Sequence, residues 1–460
     1  MSRSSHVARR YHRPLRQAGG TPLRGWARTL ATLPRDARLY VGAEVLAAFA
    51  TGAFGAVYNL YVLALGFAPS FLGTLLVAGM LGAGAAVVPA GALVDRLGAR
   101  ALLLGGSLVV AAGVGVQLAL PLGAVLLAGN ALAGAGAAAF YVAAAPYLAR
   151  VAPEGRQNEL FSLDTAAALG GTALGSVVAG QVATLLGAGT TGPAGGPDGA
   201  APYRLSLLLG SAVGALSFPL LLATRATGAP APAGAGGAAA SPARDERAGG
   251  VWRAVLTDPV ALRLAAIGGL IGLGAGLFLP YLNVYFVQQL GASPAVYGWI
   301  SGVSTLTRLG ATLLAPAVAG RLGTVGAIAG TQLASVPFLL LLGFAPQLGL
   351  AALAFLIRGA LMNMAFPLQT SFTMGALRPA LRGTGNALLI LAGNVSRAAS
   401  TLAGGALIER SGYRLPYLLT AAIYTLGTLL FWLWFGSGAG GERDREGARR
   451  GTGPHDPAAE

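Results

Sequence analysis

Long apolar runs, separated by short stretches rich in glycine, proline and arginine, dominate the chain. A run of about 18 residues or more crosses the hydrocarbon core of a bilayer as an α-helix. The pattern predicts twelve such spans, over residues 39–65, 71–93, 101–119, 122–148, 159–186, 204–224, 261–287, 296–318, 324–345, 348–375, 384–408 and 415–436. An even number places both chain ends on one side of the membrane. Glycine and alanine are frequent within the runs. Small residues let helices approach closely in lipid, where packing drives association. The pattern predicts an all-α membrane protein with two six-helix bundles, 39–224 and 259–436.

Three polar regions flank or divide the bundles. Residues 1–38 carry nine arginines and one acid. Residues 225–258 are rich in Pro, Gly and Ala, carry Arg244-Asp245-Glu246-Arg247, and read as a flexible linker. Residues 437–460 read as a disordered tail. In the first region Leu23, Trp26, Leu30 and Leu33 share one helical face, the pattern of a helix lying on the membrane surface. A disordered basic tail fits equally well. The first apolar run is too long for a cleavable signal, and further spans follow it.

The two bundles repeat at an offset of 224–226 positions. Trp26, Pro34 and Arg38 correspond to Trp252, Pro259 and Arg263. Asn59-Leu60-Tyr61 corresponds to Asn283-Val284-Tyr285, and Pro69 and Gly73 to Pro294 and Gly298. Arg96-Leu97-Gly98 corresponds to Arg321-Leu322-Gly323, and Phe140, Pro153 and Arg156 to Phe366, Pro379 and Arg382. Six spans per half give both halves the same orientation. They are therefore parallel repeats about an axis along the membrane normal, with a cleft between them where a substrate sits near the midplane.

Composition agrees. The 460 residues are 55% hydrophobic and only 10% charged, with a mean hydropathy of +0.66. A soluble chain carries about 25% charged residues. There is no lysine, so all 31 basic residues are arginine and the net charge is +15. Such an excess would suggest nucleic acid, but the apolar content overrules it and no nucleic-acid partner is expected. With the chain ends in the cytoplasm, 24 arginines fall on the cytoplasmic side. Three, Arg204, Arg410 and Arg414, fall outside. This bias predicts a multi-pass protein of the cytoplasmic membrane with both termini inside.

The same composition excludes much chemistry. There is no cysteine, hence no thiolate metal site or iron–sulfur cluster. His6, His12 and His455 all lie in the tails. Without lysine there is neither a Schiff base nor a Walker-type phosphate loop. Gly-rich runs such as Gly82-Ala83-Gly84 lie inside apolar spans and read as helix packing. No enzyme activity, cofactor or metal site is expected.

Between the second and third spans lies Gly91-Ala92-Leu93-Val94-Asp95-Arg96-Leu97-Gly98-Ala99-Arg100. This resembles the signature loop of the major facilitator superfamily, G-x-L-a-D-r-x-G-r-k/r. Ala99 stands where that family often has a basic residue, and Gly320 replaces the aspartate in the second-half copy. The glycines suit a tight turn. Arg96 and Arg100 have acids Glu154 and Glu159 to pair with in the next loop on that side. The resemblance implies a gating loop of Gly91, Asp95, Arg96, Gly98 and Arg100. In it Asp95 meets the start of the eleventh span near Gly383 and latches the outward-open state. Two patterns of the family's drug:proton antiporters fit less well. Asn130-Ala131-Leu132-Ala133-Gly134 lacks their fourth-span arginine. Gly171-Thr172-Ala173-Leu174-Gly175-Ser176 has serine where they have proline.

An ionisable group within a span costs at least about 2.5–3.5 kcal/mol on insertion scales, so each is a functional candidate. Arg308, Arg358 and Arg397 lie near mid-span in spans eight, ten and eleven. Each sits on a stripe of polar or small residues: Ser301, Ser304, Thr305 and Thr312; Met362, Ala365 and Gln369; Asn386, Gly393, Thr401 and Gly404. Glu44 aligns with Thr51, Gly55 and Tyr58, with Asn59 adjacent, and Asn130 aligns with Gly134 and Tyr141. Arg263, near a span end, reads as snorkelling.

By the resemblance, spans one, four, seven and ten surround the cavity and two, five, eight and eleven line its sides. All three arginines then reach it. Their planar forks suit carboxylate, phosphate or sulfate groups, although such arginines also serve to tie helices together. The candidate substrate-binding residues are Arg358, Arg308, Arg397, Asn59, Asn283, Tyr58, Tyr285, Asn130 and Tyr141. Tyr61 and Tyr281 are further cavity candidates, with packing as their alternative role. Glu44 and then Asp164 are the candidates for proton coupling, since burial retunes where a carboxyl titrates.

These features predict a monomeric secondary transporter that moves a small organic solute by alternating access, in contact with membrane lipids. The leading reading is proton-coupled efflux of amphipathic compounds. The alternative is uptake or exchange of an organic anion through an arginine-lined cavity, and a remote one is a non-transporting membrane sensor.

Overall fold

The computed structural model describes residues 32–153, 155–188, 197–225 and 251–436; among these there is no β-strand. Among the described residues, eleven helices are long and apolar enough to cross a membrane. One of them, Pro294–Phe344, is two helices that meet at Gly323, whose φ of 71° is non-helical. The spans are therefore α1 (Arg35–Ala64), α2 (Pro69–Leu97), α3 (Ala99–Ala119), α4 (Gly123–Val151), α5 (Gln157–Leu185) and α6 (Gly199–Leu222). The second half follows with α7 (Pro259–Gln289), α8 (294–322), α9 (324–344), α10 (Leu348–Ala376), α11 (Arg382–Ser411) and α12 (Arg414–Phe435). Helices satisfy their own backbone hydrogen bonds, which lipid cannot do. Proline opens α2, α7 and α8, where its missing N–H costs nothing. The Asp258 carboxylate caps α7 by accepting from the N–H groups of Val260 (2.9 Å) and Ala261 (3.0 Å).

Two expected boundaries move. Helix α1 starts at Arg35, so residues 35–38 of the expected tail are helical. Residues 251–257 of the expected linker are helical too, with Val255 packed on Leu264 and Leu377. The remainder of the linker, the surface-helix positions Leu23, Trp26 and Leu30, and the tail from 437 lie outside the described residues. Leu33 packs against Tyr40 and Tyr147 in the protein core instead of lying on a membrane surface.

The repeat seen in the sequence is present in the backbone. Positive-φ glycines fall in pairs 225 positions apart: Gly66 and Gly291, Gly98 and Gly323, Gly187 and Gly412. Packing repeats as well. In the first half α1 packs on α5 and α6, and α4 on α2 and α3; in the second, α7 packs on α11 and α12, and α10 on α8 and α9. The halves meet through α2 with α11, α5 with α8, and α1 with α7. The face that bears the start of α1, the end of α12 and the Gly98 turn is the terminal face, and the other the far face.

Candidate functional site

The halves interlock at the far face through contacts that obey the repeat. A Cβ built on Gly73 would lie 2.9 Å from the Thr401 carbonyl oxygen, and one on Gly298 2.5 Å from that of Ser176. Gly180 and Gly405 likewise abut the Pro294 and Pro69 carbonyls. Only glycine permits helices to approach this closely. The first turns of α8 and α2 are capped across the interface. Ala295 N–H donates to Thr184 Oγ1 (2.9 Å), and Ser70 N–H to Glu409 Oε2 (3.3 Å). At the centre, Asn59 Nδ2 donates to Asn283 Oδ1 (2.9 Å) and to the Pro280 carbonyl (2.6 Å). Asn283 Nδ2 donates back to the carbonyls of Ala56 (3.3 Å) and Gly55 (3.4 Å). Residue i bonding j while j's counterpart bonds i's is the mark of an interface on a two-fold axis. Among the described residues, every hydrogen bond joining the halves lies toward the far face.

The second half contains the expected arginines. Arg358 is 4% exposed. Its Nη2 donates to Tyr424 Oη (3.2 Å), and its guanidinium carbon lies 5.2 Å from the Phe278 ring centre and 5.5 Å from that of Tyr424. Aromatic faces stabilise a cation, but Nε is buried without a partner. Arg308 lies within electrostatic reach of Arg358. It is exposed, and holds the Ser304 carbonyl (3.3 Å) and Thr305 Oγ1 (3.2 Å) on its own helix. Arg397 is exposed, lies within electrostatic reach of Tyr424, and makes no side-chain hydrogen bond among the described residues. No carboxylate forms an ion pair with any of the three among the described residues.

The first half presents the opposite charge. Glu44 is 8% exposed and lies within electrostatic reach of Asp164. Asp164 Oδ1 is buried without a partner, as are the hydroxyls of Tyr40 and Tyr147, whose rings lie 5.3 Å apart. Tyr141, 73% exposed, faces both carboxyls electrostatically. Among the described residues neither acid has a hydrogen bond or an ion pair.

Other expected site residues are committed to helix packing. Tyr58 Oη donates to Gln117, Asn130 Nδ2 to the Leu75 carbonyl (2.6 Å), and Tyr285 Oη to the Leu342 carbonyl (2.7 Å). Tyr281 Oη donates to the Thr401 carbonyl (2.6 Å), and Tyr61 is fully buried. Arg263 lies 5.8 Å from the Trp434 ring centre.

At the terminal face Gly98 (φ 84°) makes the turn between α2 and α3. Arg100 makes no ion pair with Glu159. Arg156 binds Glu159 (2.8 Å), and Glu154 lies outside the described residues. Arg100 instead donates to the Leu222 carbonyl (2.9 Å) and Thr224 Oγ1 (3.2 Å), because α6 ends beside it. Asp95 and Arg96 are exposed without an ion pair among the described residues, and a Cβ built on Gly383 would meet open space. The implied contact between Asp95 and α11 is not made in this conformation.

Sequence reasoning missed Phe278, Tyr424 and Gln117. Tyr424 carried a usable signal, a polar-tipped aromatic in mid-span.

The Major Facilitator Superfamily model matches residues 41–285 and 264–458, once for each half. Among solved structures, the nucleoside transporter NupG matches with a TM-score of 0.66 at 13% identity, covering 87% of this chain and 99% of its own. A D-xylose-proton symporter matches at 0.63 and 17% identity, covering 86% and 95%. An auto-inhibited POT family peptide transporter matches at 0.64 and 14%, covering 88% and 98%. At these identities the likeness is one of fold. No curated protein matches the sequence.

Proposed function

The chain belongs to the Major Facilitator Superfamily, and we propose that it exports amphipathic organic solutes in exchange for protons. It is a transporter and not an enzyme, and it works by alternating access. The observation that carries the proton reading is the pair Glu44 and Asp164. These are two neighbouring carboxyls withdrawn from water, with no cation paired to either among the described residues. Two such groups repel each other as anions, so binding a proton stabilises the pair. The exposed Tyr141 ring beside them offers an apolar surface for an amphipathic solute. The arginine bias supports a cytoplasmic terminal face, with the interlocked far face as the outer one. The protein acts as a monomer in the cytoplasmic membrane.

The test is flux in proteoliposomes under an imposed pH gradient, with a solute identified by thermal shift on the purified protein. Wild type drives the solute uphill. Glu44→Gln retains binding and equilibrative exchange but loses uphill movement. Uphill movement by Glu44→Gln equal to wild type refutes the coupling assignment.

Arg358 favours a second reading, uptake or exchange of an organic anion. Its guanidinium is buried with an unpartnered Nε, no acid pairs with it among the described residues, and Arg308 lies nearby. An anionic group would supply the missing acceptor.

A further inference from the structure

Helix α7 loses its α-helical ladder where it meets α1. The α-helix Pro259–Phe278 gives way to a 3-10 turn over Leu279–Tyr281. A helical turn resumes at Leu282, and a π-helical stretch follows over Tyr285–Gln289. The repeat partner α1 runs unbroken through the equivalent residues to Ala64. Pro280 explains part of the difference, since it has no N–H to donate. The two asparagines account for the rest. In an unbroken α-helix the Val284 N–H would donate to the Pro280 carbonyl, four residues earlier. Here the Val284 N–H donates to Asn283 Oδ1 (2.9 Å), and the Pro280 carbonyl accepts from Asn59 Nδ2 (2.6 Å). The donor and the acceptor of one absent helical bond are each occupied by an asparagine of the far-face clasp.

We propose that Asn59 and Asn283 are gate residues that couple opening of the far face to straightening of α7. Withdrawal of Asn59 releases the Pro280 carbonyl. Rotation of Asn283 releases the Val284 N–H, and the two then close the helical bond between them. The hydrogen bonds broken across the interface are exchanged for one inside α7, so these backbone groups stay paired in both states. Closing that bond keeps both groups paired without recruiting water from the opened cleft. Pro280 keeps the break available by leaving one ladder position permanently empty. The asymmetry follows directly: α1 supplies a rigid edge and α7 a hinge, although the two share a repeat.

The chain has no cysteine, so labels can be placed without background. Leu122 and Gln347 are exposed, lie in far-face connections of the two halves, and are repeat counterparts. Spin labels on the double variant Leu122→Cys/Gln347→Cys, in the full chain in nanodiscs, report far-face opening by double electron–electron resonance. Adding Asn59→Ala or Asn283→Ala is expected to raise the ratio of open to closed populations by about tenfold. In the same variants, amide hydrogen exchange over residues 279–290 is expected to slow, because the α7 ladder completes as the face opens. Pro280→Ala, which leaves both asparagines in place, is expected to slow exchange there and to favour the open state. Unchanged distances in both asparagine variants overturn the gate. Opening accompanied by unchanged or faster exchange overturns its coupling to α7. So does a Pro280→Ala variant that matches wild type in both measurements.

Discussion

The two halves have one architecture and opposite chemistry. The first holds the buried Glu44 and the half-buried Asp164 beside tyrosines; the second places Arg308, Arg358 and Arg397 in the middle of its spans. None of these charges has a counterpart in the repeat. At an offset of 225, Arg308, Arg358 and Arg397 correspond to Ala83, Ala133 and Thr172, and Glu44 and Asp164 to Gly269 and Leu389. The residues that do obey the repeat are those that close the far face: Gly73 with Gly298, Gly180 with Gly405, and Asn59 with Asn283. Symmetry therefore maintains the hinge-and-closure scaffold, where each half must do what the other does. On the proposed reading, departure from symmetry marks the chemistry, because a proton site and a solute site need different groups.

The largest effect is expected where symmetry rules. Gly298→Leu forces a side chain against the Ser176 carbonyl, so the far face cannot close and transport falls by about a hundredfold. Gly310→Leu, where a Cβ meets open space, serves as the control and stays near wild type. Near-normal flux in Gly298→Leu breaks the view that the glycine contacts form the closure. A smaller effect is expected on the asymmetric side. Arg358→Ala should weaken binding of anionic solutes by about tenfold to a hundredfold, the worth of a charged hydrogen bond, and leave neutral solutes unaffected. Equal losses for both, measured by calorimetric titration, would return Arg358 to a purely structural role. The smallest effect is expected for Tyr424→Phe. It removes the one side-chain hydrogen bond to Arg358 among the described residues while keeping the ring beneath the guanidinium. Anion affinity should change by about threefold to tenfold, in a direction that separates two roles for Tyr424. A loss means that it positions Arg358; a gain means that it competes with the solute for the guanidinium.

Much of the scaffold was legible in the chain because its signals are local. Apolar run length gives the spans, and a glycine at a turn such as Gly98 or Gly323 marks the joint between two of them. The site was legible only in part. A charge inside an apolar run is conspicuous, so Glu44, Arg358 and their companions stood out. What each charge faces was not readable. Tyr424 and Phe278 reach Arg358 from α12 and α7, and Gln117 reaches Tyr58 from α3, through packing that no local pattern encodes. Arg100 illustrates the same limit. Its charge invited an acidic partner, but the chain brings the end of α6 beside it, and a carbonyl and a hydroxyl take its place.

The sequence by itself determined the spans, the repeat, the choice of ionisable groups and their division between the halves, because each depends on residue type and spacing along one helix. Only the tertiary structure decided what those residues do to one another. Asn59 and Asn283 were visible as equivalent polar residues and were natural candidates for a cavity. Folding places them on the axis relating the two halves, where each lies closest to the other's helix, so they bind each other across the far face. A repeat in sequence states that two positions are equivalent. Whether equivalence brings them together depends on their distance from the axis, and that is fixed only when the halves pack.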